Sequence, residues 1–318
     1  MTTPLRSPHH PPSLLQQWRQ SGILWALLSP LFLGSIPIFA KLAYQAGVDV
    51  YSVIAIRTIF ATLLLWGYAI LFNRRWIESS MPATLSSLLA GSINGLGSIF
   101  FYASLTRIDA SLGQLINITY LIFVTLLLRF IGQKVSFVTL GRTALAIFGI
   151  YLLTSGGLGP PDWLGITYMV IAALSYAIQL VLSQRILYEI PAVTMTLYAI
   201  TGMSLVVLLP WLFMGQSLAT ISVTGWETVL LMGLATALSR LTLFLGVQKL
   251  GSIQTALFGV TEVIVTILIA ALLLGEQFTG QQWIGALVIL VSILLVNFER
   301  DVPRLVDWWR FIWKRGVG

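Results

Sequence analysis

The chain has 318 residues, of which 57% are apolar and only 9% are charged. A soluble domain carries roughly 25% charged residues, because these keep its surface in water. A composition this poor in charge excludes a water-soluble enzyme, a disordered chain and a fibrous one, and it predicts an all-α polytopic membrane protein.

Ten apolar runs in the sequence each come close to the 20 residues that a helix needs to cross a bilayer. They are residues 22–43, 51–72, 83–103, 110–131, 137–154, 163–185, 193–214, 225–246, 253–273 and 280–298. The connections between them are short, so no soluble domain fits, and β-barrel strands would be only about 10 residues long. Residues 1–21 are predicted to be a disordered cytoplasmic tail, and residues 299–318 a cytoplasmic amphipathic tail that lies in the headgroup region.

The basic residues predict the orientation of the chain. With the N-terminus in the cytoplasm, 14 of the 18 Lys and Arg residues fall in cytoplasmic segments, and only Lys41 and Arg107 fall in outer ones. This asymmetry predicts that both termini are cytoplasmic, in a bacterial inner membrane. It also explains the net charge of +7 without a nucleic-acid partner.

The content of cysteine and histidine limits the chemistry of the chain. There is no cysteine, and the two histidines, His9 and His10, lie together in the N-terminal tail. This predicts no disulfide, no metal site, no cofactor and no His-dependent enzyme inside the membrane. We expect a small-molecule substrate and the lipid bilayer as partners, with protons as a candidate coupling ion and a monomer or homodimer as the assembly.

The sequence contains an internal repeat. Residues 101–153 and 244–296 match at an offset of about 143 residues, which predicts two halves of five spans, 22–155 and 156–298. Because five is odd, the second half enters the membrane from the opposite side, so the halves form an inverted repeat, an arrangement typical of secondary transporters. The matched pairs are Arg107 with Lys249, Thr119 with Thr261 and Gly132 with Gly275.

Three stretches resemble the drug/metabolite transporter superfamily in its EamA-like branch. LFLGSIPIFAKLAYQAGVDVYSVIAIRTIFATLLL is similar to its first two helices, with Gly34, Lys41 and Arg57 at matching places. FYASLTRIDASLGQLI resembles its fourth helix, and TEVIVTILIAALLLGEQFTGQQWIGALVILVSILLV resembles the ninth and tenth, with their Gly-Glu turn. The resemblance covers about 23–298 and implies a ten-helix transporter. The chain departs from the pattern at Glu262, which no proline follows, so the resemblance implies no particular substrate.

Three charged residues lie inside the spans and are candidate site residues, because such residues usually face a bundle interior. Arg57 lies about 9 Å into the second span, either as an anchor for an anionic substrate group or as a structural residue bonded to carbonyls. Glu262 lies about 14 Å into the ninth span and is predicted to pair with Arg240. The pair is either a static ion pair, or Glu262 binds a proton or cation during the cycle.

Further polar and aromatic residues inside the spans are candidates for the same site. Their amides and rings either join helices, which the sequence favours, or line a cavity. Pro30 and Pro37 predict either an interruption of the first span, as in many transporter sites, or a simple kink. Gly91 and Gly95 predict close helix packing. The remaining candidates are Asn94, Asn117, Gln114, Gln179, Tyr102, Tyr120, Tyr176 and Trp25.

Together these features predict a secondary active transporter of small metabolites, such as amino acids or similar polar or amphipathic compounds, that works by alternating access. Proton-coupled export is one form of such transport. A channel or lipid scramblase is the alternative, and an intramembrane enzyme is a remote third, because the aspartates all fall in loops or tails.

Overall fold

The computed structural model of the chain describes residues 23–130, 137–156, 162–250, 255, 258 and 260–294. All of the regular structure in these residues is helical, as the composition predicted. The predicted tails, 1–21 and 299–318, lie outside the described residues. The α-helices of the described residues are α1 Ile23–Gln45, α2 Val50–Phe72, α3 Met81–Leu105, α4 Ala110–Asn117, α5 Tyr120–Phe130, α6 Phe137–Ser155, α7 Trp163–Ile186, α8 Ala192–Met214, α9 Val223–Leu250, α10 Val260–Leu273 and α11 Gly280–Leu294.

The helices have the length and the surface of membrane-spanning segments. Six of them, α1, α2, α3, α7, α8 and α9, are long and apolar enough to cross a bilayer. Shorter apolar stretches are Ala110–Val124, which covers α4 and the start of α5, and most of α10 and α11. Large apolar side chains cover the outside of the bundle, among them Leu71, Phe213 and Leu272, which are 76%, 85% and 82% exposed. Such a surface would be unstable in water and suits lipid, so the chain is an integral multi-pass membrane protein.

The two halves of the chain pack in a pattern that stays the same when the halves are exchanged. With α4 and α5 taken as one segment, each half contributes five. The first segment, α1, packs along α9, and its counterpart α7 packs along α3. Similarly, α2 contacts α9 where α8 contacts α3, and α10 contacts α1 where α5 contacts α7. The internal repeat in the sequence thus has its equivalent in the packing of the helices.

Glycines allow α3 and α8 to approach very closely. A Cβ atom at Gly91 would overlap the backbone of Ala199, and one at Gly95 would lie 3.0 Å from the carbonyl oxygen of Met203. On the facing helix, a Cβ atom at Gly202 would overlap the backbone of Leu88. The close packing predicted from Gly91 and Gly95 is therefore confirmed.

The fourth predicted span is not one helix. It is divided into α4, which ends at Asn117, and α5, which begins at Tyr120. At the break the Thr119 amide donates to the carbonyl of Ile116 at 3.1 Å, and the Thr119 hydroxyl donates to the same oxygen at 2.7 Å. A side chain that competes for a helix carbonyl disfavours regular α-helix. The break therefore forms without a proline.

The first span, in contrast, is continuous. α1 runs through both Pro30 and Pro37, so of the two alternatives left open at these prolines the interruption is excluded. Each proline lacks the N–H that would bond one turn back, and neighbouring helices make such a loss tolerable inside a membrane. Here α9 and α10 both pack along α1.

Alternate connections between the helices meet at one end of the bundle. The connections at 46–49, 106–109, 215–222 and 274–279, together with Gly156 and Asp162 between α6 and α7, bond to one another or to the helix ends beside them. They therefore share an end, which we call the clamp end. Successive long helices therefore run in opposite directions. The bonds include Asp49 N to Gln216 Oε1 at 3.0 Å, Arg107 Nε to Asp162 Oδ2 at 2.9 Å and Thr279 Oγ1 to Gly156 O at 2.7 Å.

Asp162 gives a pH-dependent contribution to stability at the clamp end. Its carboxylate accepts a hydrogen bond from the amide of Gly165 at 2.9 Å and another from Arg107, and both lower the pKa of Asp162. Because the folded pKa is below the unfolded value of about 3.9, this stabilisation is present above that value and is lost as the pH falls through the folded pKa. We expect Asp162→Asn to lower Tm at pH 7 but not at pH 2–3. A Tm difference that is independent of pH would contradict this.

Candidate functional site

A cavity with about 70 Å³ of internal space lies between the two halves of the chain. Residues from α1, α2, α3 and α4 of the first half and from α7, α9 and α10 of the second line it. The polar and aromatic members are Arg57, Asn94, Ser98, Phe101, Tyr102, Asn117, Tyr176, Arg240 and Glu262, and the remainder are Leu33, Ile36, Gly97 and Ala172.

Arg57 is buried in the cavity wall and is held by two neighbours. Its Nη1 donates to Thr236 Oγ1 at 3.0 Å, and its guanidinium carbon lies 4.5 Å from the centre of the Tyr102 ring. The side chain is only 2% exposed. Its Nε has no hydrogen-bond partner among the described residues. The guanidinium is therefore fixed in direction while one of its donors stays free.

Arg240 is held in a similar way from the other half of the chain. Its Nη1 donates to Gln179 Oε1 at 3.3 Å, and its guanidinium carbon lies 5.5 Å from the centre of the Tyr176 ring. Tyr176 in turn meets Tyr120 edge-on, with ring centres 4.7 Å apart. The Nε of Arg240 also lacks a hydrogen-bond partner within the described ranges. Two oriented guanidinium groups thus line one cavity.

Glu262 supplies the carboxylate of the cavity. Its Oε1 accepts a hydrogen bond from Gln114 Nε2 at 2.8 Å, and its Oε2 has no partner in the part of the chain that the structure describes. A Cβ atom at Gly34 would lie 2.7 Å from the Glu262 carbonyl oxygen, and Thr266 Oγ1 donates to the Gly34 carbonyl at 2.8 Å. The glycine in α1 therefore lets α10 approach closely enough to bring Glu262 to the cavity.

The predicted ion pair between Glu262 and Arg240 does not form within the described residues. Among the described residues the structure has one ion pair, and it joins Arg107 to Asp162. Both side chains line the cavity, but each takes an amide as its hydrogen-bond partner, Gln114 for Glu262 and Gln179 for Arg240. An amide satisfies a charged group without neutralising it, so both charges remain available to a ligand.

Seven of the eleven residues proposed from the sequence line the cavity. Tyr120, Gln179 and Gln114 lie directly behind the lining, in contact with Tyr176, Arg240 and Glu262 respectively. Trp25, in the first turns of α1, is not part of it. The seven are Arg57, Asn94, Tyr102, Asn117, Tyr176, Arg240 and Glu262.

Sequence reasoning missed Ser98 and Thr236. Ser98 lies midway between Asn94 and Tyr102 on α3, and Thr236 lies one turn before Arg240 on α9. Residues four apart share one face of a helix, so this spacing was the signal that could have found both.

At the clamp end, Glu276 bridges the two halves of the chain. Its Oε1 accepts from the Ala110 amide at 2.8 Å and its Oε2 from the Ser111 amide at 2.9 Å, so it caps α4 from the connection between α10 and α11. Asp109, the residue before α4, makes no capping bond itself. Burial and the nearby charge of Glu276 raise the pKa of Asp109. We call this contact the Glu276 clamp.

The comparison with known families agrees with this architecture. The model of the EamA-like transporter family matches the chain twice, at residues 20–155 and at residues 163–298. The chain belongs to the EamA-like transporter family. This membership confirms the resemblance seen in the sequence, to the drug/metabolite transporter superfamily, and makes the chain a member of a family of membrane transporters.

Other comparisons add the fold but no substrate to this EamA-like chain. A solved crystal structure of a protein aligns over 87% of this chain and 96% of its own length, with a TM-score of 0.64 and 13% sequence identity. At that identity the likeness shows the fold alone. No curated protein matches the chain.

Proposed function

We propose that this EamA-like protein is a secondary active transporter that moves small metabolites, amino acids or similar polar or amphipathic compounds, by alternating access. The observation that carries the proposal is the cavity, which is lined from both halves and holds buried charged groups whose atoms lack partners among the described residues. A buried polar group without a partner costs free energy, which a ligand can recover by binding it.

The proposed topology has ten crossings in two inverted halves, with α4 and α5 together making the fourth. The shared position of alternate connections at the clamp end supports it, because five crossings per half reverse the direction of the second half. The basic residues support cytoplasmic termini in a bacterial inner membrane, with the clamp end outside.

Alternating access requires contacts between the halves that form and break at one end of the site. The Glu276 clamp is such a contact, since it joins α4 of the first half to the connection before α11 of the second. Opening the clamp end requires these two hydrogen bonds to break and water to take their place.

Glu262 is the proposed coupling group. Its Oε2 has no partner in the described part of the chain and can hold a proton, and the carboxyl lies next to the cavity rather than in a closed ion pair. The groups that face it are Gln114 from α4, Tyr120 from α5, Tyr176 from α7 and Arg240 from α9. Protonation here would change the charge of the cavity by one unit in each cycle.

Transport in proteoliposomes tests the coupling role. We expect Glu262→Gln to remove the dependence of substrate flux on an imposed pH gradient, because the amide cannot take up and release the proton. Glu227→Gln is the matched control, since Glu227 lies exposed near the start of α9. Unchanged pH-gradient dependence in Glu262→Gln would contradict the role of Glu262.

The alternative functions are a channel and a lipid scramblase. A carrier gives saturable flux and counterflow, in which unlabelled substrate on one side drives labelled substrate to accumulate against its gradient. Linear, non-saturating flux through the reconstituted protein would instead identify a channel and overturn the transporter proposal.

A further inference from the structure

We propose that the cavity selects organic acids in their anionic form, with the substrate carboxylate held between Arg57 and Arg240 and an apolar body on the aromatic wall. This inference rests on the proposed function and narrows its substrates by charge.

The charges that line the cavity do not balance. Arg57 and Arg240 bring two positive charges, and Glu262 is the one acidic residue among the described residues of the lining. An excess positive charge inside a membrane protein is costly unless a counter-charge accompanies it. A zwitterion brings no net charge and leaves the excess in place, whereas an organic anion reduces it. If Glu262 carries a proton, the excess is larger and favours an anion more strongly.

The free donors of the two arginines have the geometry for a carboxylate. In each guanidinium Nη1 is already bonded, to Thr236 or to Gln179, and Nε is unpartnered among the described residues. Guanidinium groups bind carboxylates through planar pairs of N–H donors. Since Thr236 and Gln179 fix the two groups before a ligand arrives, little side-chain entropy remains to be lost on binding.

The rest of the cavity suits an apolar substrate body. Leu33, Ile36, Phe101 and Ala172 are the apolar members of its lining, and the Tyr102 and Tyr176 rings lie beside the guanidinium groups. An apolar or aromatic body gains free energy by leaving water for such a wall. Apolar walls with a few fixed polar groups are typical of small-molecule sites.

The test varies the charge of the ligand and keeps its skeleton constant. Binding to the purified full-length protein in nanodiscs is measured for 3-phenylpropionate, phenylalanine and phenethylamine, and for the matching acid, amino acid and amine with a branched aliphatic skeleton. We expect the acid of at least one skeleton to bind about tenfold or more tightly than its amino acid, and the amines to show no binding. This comparison uses the wild-type protein and so does not depend on the folding of a variant.

Two variants test the role of the arginines. We expect Arg57→Lys and Arg240→Lys each to weaken binding of the acid about tenfold, because lysine keeps the charge but lacks the planar pair of donors. Arg74→Lys, at an exposed site between α2 and α3, is the matched control and is expected to leave binding unchanged. Undiminished binding of the acid in both cavity variants would overturn the assignment of the carboxylate site.

Other outcomes separate this inference from the transporter proposal. Amino acids that bind as tightly as the acids, or acids of which none binds, would overturn the anion selectivity. The transporter proposal would stand in either case, because it depends on saturable counterflow of whichever ligand binds. Only linear, non-saturating flux would contradict the transporter proposal.

Discussion

Replacing Gly91 with alanine is expected to destabilise the helix bundle by about 1–3 kcal/mol or more, the usual range for overpacking a tight interface. The added Cβ would overlap the backbone of Ala199 in α8. Backbone atoms cannot move aside as a flexible side chain does, so α3 and α8 must separate along their contact. Gly202→Ala is expected to act similarly, since its Cβ would overlap the backbone of Leu88.

The matched control for these variants is Gly67→Ala. Gly67 also lies inside a helix, α2, but a Cβ atom there would have no neighbour within 4 Å among the described residues. Helix propensity alone favours alanine over glycine by about 1 kcal/mol, so this variant is expected to be neutral or slightly stabilising. Thermal or denaturant unfolding in detergent micelles measures all three. Equal stability of Gly91→Ala and Gly67→Ala would show that the close contact between α3 and α8 is absent in the folded protein.

Removing the Glu276 clamp is expected to open the clamp end of the bundle. Hydrogen bonds to a charged group contribute about 1.5–3 kcal/mol each, and Glu276→Ala removes two of them from the start of α4. Hydrogen bonds from the freed amides to water offset part of this loss of free energy at the exposed end. A net loss of about 1.4 kcal/mol would raise the population of the open form about tenfold.

A single introduced cysteine can measure this opening, because the chain has none of its own. Ser98→Cys places the thiol in the cavity lining, and a membrane-impermeant thiol reagent is added from the clamp side. We expect labelling to be faster in Glu276→Ala than in its exposed neighbour Gln277→Ala, which serves as the control. Equal labelling rates in the two backgrounds would mean that Glu276 does not hold this end closed.

The sequence was sufficient to predict most of the helices and the group of residues around the cavity. Arg57, Arg240 and Glu262 stood out because charge inside an apolar span is costly, so such residues gather where they can be compensated. In the structure all three line one cavity. The three side chains point into the same cavity because of the way helices far apart in sequence pack together. No local sequence pattern encodes that packing.

The sequence was misleading where partners had to be chosen. The similar depth of Arg240 and Glu262 in the membrane predicted an ion pair. Depth does not determine which way a side chain points around its helix axis. In the structure Gln179 lies closer to Arg240, and Gln114 lies closer to Glu262. Pro30 and Pro37 likewise left open an interruption of the first span, which is continuous in the structure. Proline removes one local hydrogen bond, and whether the helix then breaks depends on the helices packed beside it.

The break at Thr119 makes the fourth span a pair of short rods with a joint. With 8 residues in α4 and 11 in α5, the rods are about 12 and 16 Å long at 1.5 Å per residue. The clamp and α10 hold the first rod, and α7 lies along the second. Asn117, the last residue of the first rod, faces the cavity. A tilt of this rod at the clamp end would therefore move Asn117 and the cavity wall with it.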